Sequence, residues 1–319
     1  MGRCLVDIKT QENLYQGDKR YFTLNHHLRN IFGQKIFKIS LDAGLTCPNR
    51  DGTLSDKGCF FCSASGSGDF AGKSTNSISE QFTEISEMMH RKWATGKYIA
   101  YFQAFSNTYG PIDTLRSIYE EALKQPGVVG LAIATRPDCI DDHIADLLYE
   151  LSQQTYLWIE LGLQTIHNHT AKRMNLQYDF TTFLSTLDKL QDKNIEVCTH
   201  IILGLPGETR EDMMSTAREV AKLPIQGLKI HLLHLMRETP LAEVYAKKPF
   251  AFLTQDEYVD LVIDILEILP PDMVIHRLTG DSPRDLLIGP QWSLNKWEVL
   301  NAIDKRLIEK DTWQGKYSY

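Results

Sequence analysis

Hydrophobic positions along this chain fall into alternating strand-like and helix-like stretches. Lys35-Ile36-Phe37-Lys38-Ile39-Ser40-Leu41 alternates with period two, as a half-buried strand does. A capping box, Ser77-Ile78-Ser79-Glu80, opens a run in which Ile78, Phe82, Ile85, Met89 and Trp93 recur at helical spacing, stopping near Gly96. The unit then repeats. Apolar strands are predicted at Tyr98 to Phe105, Val128 to Ala134, Leu157 to Gly162, Ile195 to Leu203 and Leu228 to Leu235. Between them, one helix has Pro111 in its first turn and ends before Pro126-Gly127, and another runs from Ile140 to Gln154. Helical segments reach out to Lys193, and a further helix begins at Thr209. Thr254-x-x-Glu257 starts one more.

Six strand–helix alternations with near-continuous apolar strands predict a parallel sheet covered by helices. No G-x-G-x-x-G follows the first strand, which argues against a dinucleotide fold. The expected architecture is α/β: a partial (β/α)6 TIM-like barrel over residues 35–253, an N-terminal basic and aromatic arm at 1–34, and a C-terminal extension at 254–319. Gln103, Thr135, Glu160, Gln164, Gly204 and Glu208 collect at the predicted C-terminal ends of the strands, the edge that carries chemistry in such barrels.

Composition changes this picture little. At 319 residues, with 43% hydrophobic and 24% charged content, the chain is an ordinary globular one. Met1 to Asp7 offers no apolar run of signal-peptide length, and no stretch approaches a membrane span. Six cysteines, three of them crowded into one loop, suit a reducing cytoplasm better than a disulfide framework. The net charge of −7 excludes indiscriminate coating of nucleic acid. Residues 1–40 nevertheless carry Arg3, Lys9, Lys19, Arg20, Arg29, Lys35 and Lys38 against Asp7, Glu12 and Asp18, interleaved with Tyr15, Tyr21, Phe22, Phe32 and Phe37. Such a segment suits base stacking and phosphate contact, or equally an arm packed across the barrel with a solvated basic face.

The candidate chemistry lies in the long loop after the first strand. Eleven residues separate Cys47 from Cys59, and two separate Cys59 from Cys62. Three soft ligands from one loop fit an iron–sulfur cluster with one free iron, or a zinc ion whose fourth ligand comes from elsewhere. The loop itself holds no other Cys or His between Leu41 and Phe82. Cys4, Cys139 and Cys198 lack partners at ligand spacing and read as buried or incidental thiols.

A three-cysteine loop directly after the first strand of a six-unit βα barrel resembles the radical S-adenosylmethionine (SAM) superfamily. The first gap departs from that superfamily's usual three-residue spacing. Glu160-Leu161-Gly162-Leu163-Gln164-Thr165 and Gly204-Leu205-Pro206-Gly207-Glu208-Thr209 look like the fourth- and fifth-strand motifs of its Elp3-related branch. Gly44 to Gly52, Phe102 to Thr108 and Ile275 to Asp281 narrow the resemblance to the YtqA/YhcC-like subgroup.

The resemblance implies that Cys47, Cys59 and Cys62 hold a [4Fe–4S] cluster whose fourth iron binds SAM. Reduction then releases a 5′-deoxyadenosyl radical, with flavodoxin or ferredoxin as an expected electron donor. Phe61 is expected near the adenine or in packing around the cluster. Gln103 and the Ser106-Asn107-Thr108 turn stand where the superfamily often has Gly-Gly-Glu for the methionyl amine, so the acid is missing. Glu160 needs a partner, a ribose hydroxyl or an arginine. Gln164 and Arg173 are candidates for the ribose and the methionyl carboxylate, and Gly204 to Glu208 for cofactor contact or a plain helix cap. His231 and Lys229 are candidate substrate contacts; His200, His231 and His234 also read as core histidines. His276, Arg277 and Asp281 form a polar cluster that closes the barrel and touches substrate, or a structural turn.

For the subgroup the implied substrate is tRNA. The implied step converts the carboxymethylaminomethyl group of the wobble (2-thio)uridine to aminomethyl, on the route to 5-methylaminomethyl-2-thiouridine. The alternatives are a radical SAM enzyme acting on a small metabolite or peptide, and a metal-binding protein without turnover.

Overall fold

A computed structural model describes residues 17, 19–91 and 96–318. Arg3, Cys4, Asp7, Lys9, Glu12, Tyr15, Asp18 and Trp93 lie outside them. Six strands form where alternation and apolar runs place them: β1 (Ile36–Leu41), β2 (Lys97–Phe102), β3 (Val128–Thr135), β4 (Tyr156–Gln164), β5 (Glu196–Leu203) and β6 (Gly227–Leu232). Beyond the short β7 (Leu235–Met236), the extension contributes β8 (Val274–Arg277), which pairs parallel with β6. The result is a seven-stranded, all-parallel sheet in the order β1-β2-β3-β4-β5-β6-β8, curled into a half-barrel whose edge strands do not meet. The seventh strand is an addition to the six expected; four residues between turns carry too little pattern to announce a strand. β7 pairs antiparallel with β9 (Leu287–Gly289) in a separate ribbon.

Crossover helices cover the outer face: α2 (Ile78–His90), α3 (Ile112–Leu123), α4 (Asp142–Ser152), α5 (Asn168–Arg173), α6 (Phe180–Asp192) and α7 (Arg210–Lys222). Then follow α8 (Pro240–Lys247), α9 (Gln255–Ile268) and α10 (Lys296–Glu309). The capping boxes read from sequence are present at Ser77/Glu80 and Thr254/Glu257, and a third closes at Thr209/Asp212. Three boundaries differ from the pattern. α2 ends at His90 rather than near Gly96. Pro111 is the N-cap of α3 rather than part of its first turn. The run from Leu228 to Leu235 divides after Leu232, with Leu233 and His234 outside both strands before β7.

Alternation within each strand sorts side chains onto two faces. Ile39, Leu41, Leu131, Ile133, Ile159, Leu161, Ile201, Leu228 and Ile230 join the main core under the helices. A smaller inner core holds Ile99, Tyr101, Ala132, Ala134, Trp158 and Cys198. Leu28 and the partly buried Leu24 and Phe32 of α1 (Leu24–Phe32) pack against it, so a helix of the arm plugs the bottom of the half-barrel. Two basic residues of the arm are spent on the C-terminal region: Lys19 pairs with Asp304, and Arg20 with Asp311 at 2.9 Å. Among the described residues no helix is long and apolar enough to cross a membrane.

Candidate active site

The inward positions of the strands, together with the cysteine loop, line one cavity of about 530 Å³. Its deep end is a buried charge cluster around Glu160, which is fully buried. Glu160 Oε1 accepts from Lys38 Nζ at 2.8 Å and Trp158 Nε1 at 3.2 Å; Oε2 accepts from Lys229 Nζ and from His200 Nε2 at 3.2 Å. Lys229 also donates to Tyr101 Oη at 3.2 Å, and the Lys38 ammonium sits 3.7 Å from the Tyr101 ring centroid. Burial disfavours charge on Glu160, but Lys229, Lys38 and His200 outweigh it and hold the carboxyl well below its usual range. Burial, reinforced by Lys38, brings Lys229 down to about 7 against the pull of Glu160. Burial and Lys229 lower His200 to about 4, so at neutral pH it is a neutral ring donating from Nε2 to the carboxylate. His231 and His276 are pushed well down and His234 to about 4, in each case chiefly by burial. His231 Nε2, His234 Nε2 and His276 Nδ1 are buried with no hydrogen-bond partner.

The other end is the cysteine loop, held in place from several directions. Arg50 Nη2 donates to the carbonyls of Cys62 (3.0 Å) and Ser63 (2.5 Å). Asn49 reaches the Asn175 carbonyl at 2.6 Å, and Asn175 returns a bond to the Gly58 carbonyl at 2.8 Å. Phe60 donates its backbone N–H to Met174 O at 2.9 Å. Gly58 has φ +70°, and a Cβ there would meet Arg50 Nε at 2.8 Å, so the turn before Cys59 requires glycine.

Cys47, Cys59 and Cys62 are free, partly buried and face the same cavity. Asn49 Nδ2 lies 3.5 Å and Arg136 Nη1 3.9 Å from Cys59 Sγ, and Ser67 Oγ lies 3.7 Å from Cys62 Sγ. Apolar surroundings push the Cys59 thiol up to about 12, Cys62 adds to this, and Arg136 offsets part of it. Polar donors aimed at sulfur are what a cluster's thiolates require. Among the described residues no three His, Cys, Asp or Glu side chains converge tightly enough for a single metal ion.

Of the residues expected at the site, Cys47, Cys59, Cys62, Phe61, Gln103, Glu160 and Gln164 line the cavity. Gln103 is tied to Ser67 O at 2.7 Å. Glu160 corrects the reading that put it at a strand's end: β4 runs on to Gln164, so Glu160 is mid-strand and deep. Its oxygens are engaged by four donors of the chain, Lys38, Trp158, Lys229 and His200.

Four expected cofactor contacts do not reach the cavity wall. Ser106 and Asn107 are fully buried behind it; Ser106 Oγ meets Thr135 Oγ1 at 3.0 Å, and Asn107 Nδ2 donates to Ala134 O at 2.9 Å, bracing β2 against β3. Arg173 points outward and caps the turn at Pro206 O, 2.6 Å away. Gly204, with φ +85°, lies against Leu253 and Leu233.

Lys38, expected only as part of the basic arm, lines the cavity together with Tyr101, Arg136 and Tyr178, for which the sequence suggested no role. Arg136 is clamped by Asp138 (Nε–Oδ1 2.9 Å, Nη2–Oδ2 2.6 Å) and lies 4.9 Å from the Tyr178 ring centroid. The signal was present for Lys38: a charged residue at an inward position of a buried strand demands an opposite charge, and Glu160 supplies it.

Residues 47–220 match the radical SAM superfamily, and residues 225–309 match the radical SAM C-terminal domain. YtqA of Bacillus subtilis is 55% identical over 300 residues, covering 94% of this chain and 93% of its own length. YhcC of Escherichia coli is 34% identical over 298 residues, covering 93% and 92%. Among solved structures, the archaeal Methanocaldococcus infernus Elp3 with an N-terminal deletion shares the fold at a TM-score of 0.65 and 16% identity, over 88% of this chain and 64% of that one.

Proposed function

The chain belongs to the radical SAM superfamily, and from that premise we propose that it acts on tRNA, converting the carboxymethylaminomethyl group of the wobble uridine to aminomethyl. The observation that carries this reading is the single cavity that joins the three-cysteine loop to a cationic floor. Five cationic side chains, Lys38, Arg50, Arg136, Lys229 and Arg277, line it against the carboxylates of Asp69, Glu160 and Asp281. The chain as a whole carries 41 acids against 34 bases, so the excess is local and opposite in sign to the surroundings. That polarity suits a modified base whose side chain ends in a carboxylate.

Cys47, Cys59 and Cys62 would hold the [4Fe–4S] cluster, with Phe61, Gln103 and Gln164 beside them for SAM. When bound, the two supply one-electron reduction and hydrogen abstraction from carbon. The residues of the chain do the rest. The inner core and α1 close the floor and exclude water, which strengthens every charge interaction above it. Glu160 fixes the two ammonium groups, and the neutral histidines offer N–H donors without adding charge. An external one-electron donor such as flavodoxin or ferredoxin completes the system.

The test is the nucleoside profile of tRNA from a deletion strain. The carboxymethylaminomethyl nucleoside is expected to accumulate at the expense of the aminomethyl and methylaminomethyl forms. An unchanged profile rejects the assignment and turns attention to a small metabolite or peptide.

A further inference from the structure

We propose that Lys38 and Lys229, seated on Glu160 at the floor of the cavity, form the receptor for a carboxylate carried by the substrate. Two ammonium groups share one carboxylate there. Both oxygens of Glu160 are saturated by Lys38, Trp158, Lys229 and His200. Each ammonium carries three donors, and the contacts described above leave N–H capacity on both. Burial holds Lys229 at about 7, so an arriving anion favours its protonated form, and the floor then carries one positive charge beyond Glu160. Arg277 is turned towards Asp281 at 3.2 Å, a carboxylate it shares with Lys296 at 2.7 Å.

Neutral imidazoles extend the receptor. His231 and His234 line the same cavity, with Nε2 of each buried and unpartnered. The two rings meet near Gly280: a Cβ there would lie 3.0 Å from His234 Cε1 and 3.7 Å from His231 Nδ1.

The charge and the backbone select the ligand. A carboxylate brings one negative charge, whereas a phosphate monoester brings more. Phosphates are commonly cradled by backbone N–H groups at a helix N-terminus, whereas at this depth Lys38, Glu160 and Lys229 sit on strands whose neighbours pair in the ladder. The site is also separate from the rim. Arg50 and Arg136 adjoin the cysteines, whereas Lys38 and Lys229 each lie three residues before the end of their strand, roughly 10 Å deeper. Joined to the reading of the previous subsection, on which this identification rests, the carboxylate is that of the carboxymethyl group. Lys38 and Lys229 then determine specificity: they select the substrate and release the product, which has lost the anion.

The experiment is titration of the reconstituted enzyme, with cluster and SAM, by 5-carboxymethylaminomethyluridine and 5-aminomethyluridine, and in parallel by N-benzylglycine and benzylamine. The wild type is expected to prefer the carboxylated uridine by about tenfold or more, the value of a charge-assisted hydrogen bond. Lys38→Met leaves the Glu160–Lys229 pair intact and is expected to abolish the preference, with Lys38→Arg restoring most of it. Equal binding of the two uridines by the wild type overturns the carboxylate receptor and leaves the tRNA reading standing. If neither uridine binds but N-benzylglycine is preferred to benzylamine, the receptor stands and the wobble-uridine reading falls. No preference in either pair overturns the receptor, as does a Lys38→Met variant that retains the preference or loses affinity for SAM instead.

Discussion

Glu160 is the residue on which the interior balances. Removing its charge leaves Lys38 and Lys229 without the buried carboxylate they share. Glu160→Gln is expected to lower stability by about 3–5 kcal/mol, the cost of breaking a buried ion pair from one side. Urea denaturation measures it, and a loss below about 1 kcal/mol would contradict the geometry. The buried histidines set the response to acid. His200 and His234 titrate at about 4 in the folded chain, against an ordinary value of 6.5. Between those values the unfolded chain binds protons that the folded chain does not, so stability falls as pH drops from 6.5 towards 4. The slope is on the order of 1.4 kcal/mol per pH unit for each histidine that stays neutral. Glu160, held low, keeps its contribution above 4.5 and loses it only at more acid pH. Denaturation midpoints measured from pH 7.5 to 4.5 should therefore fall, and His200→Gln should flatten the fall.

The elements follow local rules, which is why most of them could be read in advance. Period-two alternation marked β1, and apolar runs marked the strands between helices. Capping boxes announced α2 and α9 because the paired bonds lie three residues apart. Thr254→Ala removes one such cap and should cost about 1 kcal/mol, visible as a shift in the denaturation midpoint. The site was legible in part, for the same reason. Three cysteines in one loop are a local pattern. The partnership of Lys38, Glu160 and Lys229 spans 122 and 69 residues of chain, and contact at that range leaves no spacing to read. Ser106 and Asn107 brace β3 from a polar turn after β2, and the sequence of such a turn does not show which neighbour it will bond.

At the scale of the molecule, the half-barrel is closed below by pieces from both flanks of the chain. Thr23 bridges to Ile275, and the Ile275 N–H donates to Phe22 O at 2.7 Å. Gln314 accepts from the Phe22 N–H at 2.9 Å and donates to Pro270 O and Met273 O at 2.7 and 2.8 Å. Gln314→Ala strands those buried groups and should destabilise the whole fold by about 2 kcal/mol. A loss confined to local fraying, seen as hydrogen exchange only near residues 20–23, would show instead that this clasp is dispensable.

The clasp also bears on how the protein is made. A ribosome emits the cysteines early and the strand that anchors α1 late, so the nascent chain offers three thiols while its barrel still lacks a base. A metal centre installed at that stage would meet solvent from below. The base of the half-barrel is therefore complete only after residues 270–314 have been made.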